Sequence, residues 1–470
     1  MRAYDAPNLS APAQPAATQV ALQPALQRTI NLRDLTWLIV GSVIGSGIFL
    51  VPGPILRDVG GSVRLSIFVW MAGGVLSLLG ALTYGELAAM NPAAGGLYVY
   101  VRDAFGELPG FLYGWTLFLV IATGTNATLA VAFSNYLNQI VPLTPLEGHL
   151  VAVAMLAVAT VVNVLGTRRS TDLNNWATWT KLIAIAAMSA VLLILGRGLG
   201  HGGARGAEML TAPAGGSMFA GFGVAMIAVL WAYEGWQWVT YTASETIDPQ
   251  RNFPRAFLIG TLLLIVVYVV ADVAYMVALG PAEAARSDTI AATAIAAVLG
   301  PNTAKLVALM ILLSVFSTTN SGVLLAPRVF YAMARDGLFF RKLATVHPKY
   351  HTPVFAIVVS GIWSAILAWS GTFQQLFTYV VFAGWAFYGL AAASIFVFRH
   401  RARGAPRPYS VPGYPWTPLA FVLSAAAVVV NTIVSDWKEA AFALGVMALG
   451  LPAYYFWRAR RNATAAPVDL

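Results

Sequence analysis

The sequence predicts an all-α membrane protein of about twelve transmembrane helices, and three observations lead there. Of its 470 residues, 59% are hydrophobic and only 10% are charged, whereas a water-soluble domain carries roughly 25% charged residues. The mean hydropathy is +0.72. The apolar residues also fall in runs of about 20, the length needed to cross the hydrocarbon core as a helix. No long polar domain separates these runs, so lipid rather than water is the solvent for most of the chain.

The runs, in order, are 35–56, 66–90, 108–140, 149–166, 173–196, 218–242, 257–280, 297–333, 353–370, 374–398, 416–434 and 438–458. Residues 1–32, rich in Ala, Pro and Gln, read as a disordered tail. They lack the basic stretch followed by a short apolar core that marks a cleavable signal peptide. A short polar tail occupies 461–470. Basic residues set the orientation. Of the 28 Lys and Arg residues, placing both termini in the cytoplasm leaves seven outside: Arg57, Arg64, Arg197, Arg205, Arg286, Lys305 and Lys438. Lys181 falls within a span and the other 20 are cytoplasmic. The opposite orientation inverts the bias. The net charge of +9 is therefore a topology signal, with anionic lipid headgroups of the inner membrane as partners. Once the spans are placed, no compact basic face remains for nucleic acid.

Cysteine is absent, which excludes disulfides, thiolate metal sites and a cysteine nucleophile. His149, His201, His347, His351 and His400 sit in loops or at span ends rather than inside a bundle. Neither a cofactor nor a metal site is expected.

The informative spans are those that should be plain helix and are not. The first contains GSVIGSGIFLVPGP, with Gly41, Gly45 and Gly47 ahead of Pro52 and Pro54. Glycine costs about 1 kcal/mol in a helix interior and proline about 3 kcal/mol, so the clustering points to local unwinding. Unwound backbone at membrane depth is tolerated where it lines a cavity or is buried in protein. The sixth span has its own interruption in LWAYEGWQW, where Glu234-Gly235 sits among aromatics. Spans one and six head two five-helix blocks, and breaks at corresponding positions of two halves point to a transport site. Free N–H groups at a half-helix start attract a carboxylate, and free carbonyls at a half-helix end attract an ammonium group. A zwitterionic amino acid offers both. The bland alternative is that small residues only let helices pack closely.

At these residues the chain resembles a known family. GSVIGSGIF (Gly41 to Phe49) is similar to the first-helix signature of the amino acid–polyamine–organocation superfamily, closest to its L-type amino acid transporter branch. Agreement continues through Tyr84-Gly85-Glu86-Leu87, Pro92, Gly95-Gly96, Tyr98 and Tyr100, then WAYEGW and SETIDPQRNFPRA (Ser244 to Ala256). LSVFSTTN (Leu313 to Asn320), RVFYAMARDG (Arg328 to Gly337) and HPKYHTP (His347 to Pro353) complete it. The resemblance covers about residues 33 to 360. Ala94 stands where the family often has Ser.

The resemblance implies a LeuT-like fold: an inverted five-plus-five helix repeat, here 33–200 and 215–400, with two C-terminal helices at 410–460. It implies a sodium-independent secondary transporter of amino acids, an exchanger or proton symporter working by alternating access, and not an enzyme. Carried across, Ile44, Gly45, Ser46 and Gly47 hold the substrate carboxylate and part of its amino group through backbone atoms. Trp231, Ala232, Tyr233, Glu234 and Gly235 complete the amino-group site, with Trp231 as aromatic gate; its alternative role is ordinary packing. Eukaryotic members join a heavy chain through a cysteine. With none here that link is impossible, which leaves a monomer or loose homo-oligomer.

Ionisable groups inside the bilayer cost about 2.5–3.5 kcal/mol each on insertion scales and are functional candidates. Lys181 has no acidic neighbour within a turn. Sodium-independent relatives carry a lysine where sodium sits elsewhere in the superfamily, so its ammonium is expected on helix-one carbonyls and on Ser317 and Thr318; snorkelling is the alternative. Glu234 either pairs with a cationic substrate, titrates during transport, or satisfies exposed backbone. Asp272 is expected to pair within the bundle, with coupling as the alternative, and Glu86 to make a gate or cap contact. Thr123, Thr125, Asn126 and Asn320 are candidates for the substrate side chain, or helix glue. Four other readings compete with the amino acid carrier. A polyamine or cationic amino acid carrier rests on Glu234. A membrane enzyme lacks clustered catalytic groups, a non-transporting sensor lacks an output domain, and a channel lacks a polar lining.

Overall fold

The computed structural model describes residues 26–197, 218–371, 373–435 and 437–465. Most of the expected N-terminal tail, the segment around His201 between the two expected repeats, and residues 466–470 lie outside the described residues. The fold is all helical, and among the described residues the only pairing of extended backbone is a parallel bridge between Ile30 and Thr246.

The first span is three pieces, α1 (Leu32–Val43), α2 (Gly47–Leu50) and α3 (Pro52–Asp58). Then come α4 (Val63–Met90), α5 (Leu97–Phe105), α6 (Glu107–Thr116), a π-turn over Leu117–Ile121, and α7 (Ala122–Asn138). They are followed by α8 (Pro145–Val164), α9 (Thr167–Leu195), α10 (Met218–Ala232) and a 3₁₀ stretch at Trp236–Glu245. The second half continues with α11 (Pro249–Leu279), α12 (Pro281–Arg286), α13 (Ile290–Leu299), α14 (Ala304–Leu325), α15 (Pro327–Arg335) and α16 (Val354–Ser370). The chain ends with α17 (Phe373–Arg401), α18 (Trp416–Ser435) and α19 (Trp437–Ala465).

Ten described helical stretches are long and apolar enough to cross a membrane. The other two expected spans are α16, of 17 residues, and the sixth, whose α10 stops after 15 residues at Ala232. Two pieces were not foreseen: α5 between spans two and three, and the α12–α13 pair before span eight. Both are too short to stand out from hydropathy. Local chemistry sets the starts. Asn31 with Asp34 and Thr144 with Glu147 form reciprocal capping boxes at α1 and α8, satisfying amides that the helix itself leaves open.

Helices at matching places in the two expected repeats pack on each other: α4 against α11, and α7 against α14. The outer surface is apolar, as at Ile183 and Val434 (62% and 77% exposed), which suits lipid and not water.

One end of the bundle, that of the chain start, is laced by ion pairs. Arg328, fully buried, donates to Glu245 through Nε at 2.7 Å and Nη2 at 3.1 Å, and to the Thr167 hydroxyl at 2.8 Å. Arg168 reaches Asp34 at 2.8 Å, and Arg461 reaches Glu107 at 2.9 Å. The Glu86 carboxylate accepts from Arg399 at 2.6 Å and 2.9 Å and from the Val411 amide at 2.7 Å. It thus ties the end of α4 to the segment after α17, a cap contact. Thr29 and Ile30 amides donate to the Glu245 carbonyl, and Ile247 donates back to Ile30, pinning the chain entering α1 to the end of the 3₁₀ stretch. At the opposite end the only ion pair among the described residues is Arg57–Asp288, which is largely exposed.

Removing one partner of a buried ion pair leaves an uncompensated charge and costs about 3–5 kcal/mol. Arg328→Met is therefore expected to lower the thermal unfolding midpoint of the purified protein sharply, whereas Arg57→Met, at an exposed pair worth about 0–1 kcal/mol, barely moves it. Equal midpoints for the two variants would count against the structural role of Arg328.

Candidate functional site

The break in the first span begins where α1 ends at Val43. Ile44 adopts φ −73°, ψ 86°, so the helix stops and the last carbonyls of α1 lose their partners four residues on. Those of Gly41 and Val43, and the Ile44 carbonyl beside them, have found others. The Lys181 ammonium, fully buried on α9, donates to the Gly41 carbonyl at 2.8 Å and the Ile44 carbonyl at 2.7 Å. From α14, the Thr318 hydroxyl lies 2.9 Å from the Ile44 carbonyl and 3.1 Å from that of Gly41. Ser314 reaches the Ile44 and Gly45 carbonyls at 2.9 and 3.0 Å. The Tyr268 hydroxyl of α11 bridges Val43 O at 3.1 Å and Ala232 O at 2.9 Å, which joins the first break to the second.

The second break falls at Tyr233–Gly235. Gly235 has φ +120°, a left-handed value that favours glycine. A Cβ there would also lie 2.7 Å from the Ser42 carbonyl oxygen. Ser42 in turn donates to the Gly235 carbonyl at 3.1 Å. Gly47, the first residue of α2, sits so close to α10 that a Cβ would meet Ala232 at 2.8 Å. The two interrupted helices therefore touch at their breaks, which only small residues permit.

Between them lies a cavity of about 30 Å³, lined by Ser42, Val43, Gly45, Ser46, Gly47, Thr125, Leu129, Trp231, Ala232, Glu234, Trp238 and Thr318. That is room for one or two waters and far below the roughly 300 Å³ of a small-molecule pocket, so the site is closed in this conformation. Two polar atoms on its lining residues, Ser46 Oγ and Glu234 Oε2, are buried without a hydrogen-bond partner. Glu234 Oε1 accepts from the Tyr388 hydroxyl of α17 at 2.7 Å, and Tyr388 accepts from Trp238 Nε1 at 3.3 Å.

Of the residues singled out in the sequence, Gly45, Ser46, Gly47, Thr125, Trp231, Ala232, Glu234 and Thr318 line this cavity. Ile44, Gly235 and Lys181 bound it from behind through the contacts above. Others sit elsewhere. Ser317 donates to Asn174 at 3.4 Å and does not accept from Lys181, because on one helix face it is Ser314 and Thr318, four apart, that point together. Asn320 pairs with Asn163 at 2.9 Å and with Ser170 at 3.1 Å, between α8, α9 and α14. The Tyr233 hydroxyl is buried against Gly74 of α4. Asn126 packs against Gly322, and Thr123 bonds back to the Phe118 carbonyl across the π-turn. Asp272 receives a long 3.5 Å bond from Ser66 on α4, a contact within the bundle and away from the cavity.

Sequence reasoning missed Ser42, Val43, Leu129 and Trp238 in the lining and Ser314, Tyr268 and Tyr388 behind it. Ser314 carried a signal, one turn from Thr318. The tyrosines did not, since the break residues they meet lie 225 positions away for Tyr268 and Val43 and 154 for Tyr388 and Glu234.

Known proteins share this arrangement of sequence. The family model described as "Amino acid permease" matches residues 30–449. The chain is 30% identical over 439 residues to the serine/threonine exchanger SteT of Bacillus subtilis, covering 93% of this chain and 98% of that one. It is 33% identical to the large neutral amino acids transporter small subunit 2 of Homo sapiens, covering 92% and 82%. It is also 29% identical to the human cystine/glutamate transporter, covering 92% and 85%. With ten described spans and two broken helices meeting at a buried polar cavity, the chain is a membrane transporter and not an enzyme, and it belongs to the amino acid permease family.

Proposed function

We propose that this permease is a sodium-independent exchanger of amino acids, lying in the cytoplasmic membrane with both termini inside and working by alternating access. The observation that carries the reading is the Lys181 ammonium on the carbonyls of Gly41 and Ile44. A cation is already built into the break, where a free one would otherwise have to neutralise those oxygens. The name of the bacterial relative, an exchanger, supports exchange over symport. The basic-residue bias supports the orientation.

In this reading the substrate's carboxylate meets the first amides of α2 together with Ser46, and its ammonium meets the carbonyl ends of α1 and α10. Thr125 and Trp231 face its side chain, and Trp231 closes over it. The 33–200 and 215–400 halves act as the two repeats, moving against each other around the site. The compact cavity and the ion pairs at the chain-start end correspond to a conformation shut on the cytoplasmic side. One relative is named as a small subunit. This chain has no cysteine with which to hold a larger one covalently, so it works alone or as a loose homo-oligomer.

Neutral amino acids are the first substrate class, from the apolar wall of Val43, Leu129, Trp231 and Trp238. Glu234 Oε2, buried and unpartnered at the cavity, favours a second: amino acids with a cationic side chain.

The test is uptake of labelled serine, leucine and arginine into proteoliposomes without sodium, empty or loaded with unlabelled amino acid. Uptake into loaded vesicles only is expected; equal uptake into empty ones refutes exchange. Glu234→Gln separates the substrate classes. A charge-assisted hydrogen bond contributes about 1.5–3 kcal/mol, so if the second class is right the variant loses arginine transport by about tenfold or more while keeping that of leucine. Unchanged arginine transport assigns the site to neutral amino acids.

A further inference from the structure

A second buried carboxyl lies outside the substrate cavity. Asp272 sits on α11, seven residues before its end at Leu279, and so about 10 Å from the end of the bundle opposite the chain start. Its side chain is fully buried. The long contact from Ser66 is its one hydrogen bond, and Oδ1 has no partner. The indole of Trp70, one turn from Ser66 on α4, lies beside the carboxyl, and its N–H is also without a partner. So are the buried hydroxyls of Tyr275, three residues further along α11, and of Tyr233 at the second break, both near enough to feel a charge on Asp272.

Among the described residues no cation pairs with Asp272. The ionisable groups around it are phenols: Tyr268 and Tyr275 of α11, Tyr233 after α10, and Tyr136 of α7 beyond Tyr275. Neither α2 nor α13 carries an ionisable side chain. Glu283 and Arg286 of α12 and Arg64 of α4 are exposed. Lys181 of α9 is committed to the first break, and Asp34 of α1 and Glu245 of the 3₁₀ stretch hold their cations at the chain-start end.

A buried charge without a counter-ion costs far more than protonating it. A carboxyl that served packing alone would have its hydrogen bonds made, as buried polar groups almost always do, yet four polar atoms are left open at this one acid. Ionisable groups inside a membrane mark proton relays. The surroundings also connect this one to the breaks. Tyr268, one turn before Asp272, bonds to both of them, and Trp70 packs edge-on against Tyr268 at 5.4 Å and Tyr233 at 6.0 Å. Beyond the first break, α2 touches α11, while α3 packs on α4 and on α12, which follows α11 after a single glycine.

We propose that Asp272 is a proton-binding site: it holds a proton while the end opposite the chain start is shut, and releases it to the water there when α2 and α3 swing open. Closing that end takes a proton back, so capture of substrate from that side requires one. The site itself is independent of the substrate; its place in the cycle rests on the exchange proposed above.

The test has two arms. In infrared spectra of the purified protein, a band of a protonated carboxyl is expected that Asp272→Asn removes. Asp288→Asn, at an exposed carboxylate of the same end, leaves that band in place. Exchange of labelled leucine into loaded proteoliposomes is then followed at varied external pH with the internal pH fixed. The rate of the unaltered chain is expected to fall as pH rises, by up to about tenfold per unit for one proton. Asp272→Asn, which carries no charge at any pH, is expected to give a flat profile. If that variant cannot be purified, Asp272→Leu serves in both arms. A spectrum with no band lost overturns the proton site, and a pH profile shared by the variant and the unaltered chain overturns its part in the cycle. The infrared arm needs no transport, so it decides the site even where the exchange reading fails.

Discussion

The structure turns on one buried cation. Lys181 is fully buried in the bundle, with its ammonium on two carbonyls that the first helix has abandoned. Within lipid there is no water to take those oxygens, and each unsatisfied backbone group costs several kcal/mol. Without Lys181, Thr318 and Ser314, the first span would be driven back to a continuous helix, and the cavity between the two breaks would close for good. The arrangement also answers the converse problem. A buried ammonium needs oxygen partners, and the break supplies them from two backbone carbonyls, with the Thr318 hydroxyl at 3.5 Å.

That same contact links three helices. Lys181 comes from α9, Thr318 and Ser314 from α14, and the carbonyls from α1, while Tyr268 of α11 carries the connection on to α10. A shift of α1 thus cannot leave the others unmoved. A few residues along, Asn174 on α9 gathers Ser317 and Ser321, and beyond it, at the chain-start end, Asp34–Arg168 ties α1 to α9 while Arg328 of α15 joins Glu245 of the 3₁₀ stretch to Thr167 of α9. The cavity and the ion-pair end are therefore built on shared rods, which suits a transporter whose two sides open in turn.

The spans were legible because hydropathy and span length are strong signals, and all twelve expected runs fall on helical segments, although α9 and α11 begin 6 and 8 residues before the expected 173 and 257 and α19 ends 7 residues after 458. The sixth differs through the glycine that breaks it. Both breaks were legible from glycine, proline and a lone acidic residue in apolar surroundings, since each violates what a plain membrane helix requires. The short helices α5, α12 and α13 were not, as they neither span nor alternate. Within the site, backbone atoms and small residues could be named from sequence, but not which face of α14 meets Lys181. Residues 314, 317, 318 and 320 are all polar, and only the packed phase of the helix sends the first and third to the break, the second to Asn174 and the last to Asn163.

The most direct test of this account is hydrogen–deuterium exchange of the purified protein, comparing Lys181→Met, which keeps the side-chain volume, with the unaltered chain. If the ammonium holds the break, amides from Ile44 to Gly47 exchange faster or slower as that segment unravels or re-forms helix, while those of α4 stay as they were. Identical exchange across residues 41–49 in the two proteins would mean that the break stands without Lys181, and the account would fail.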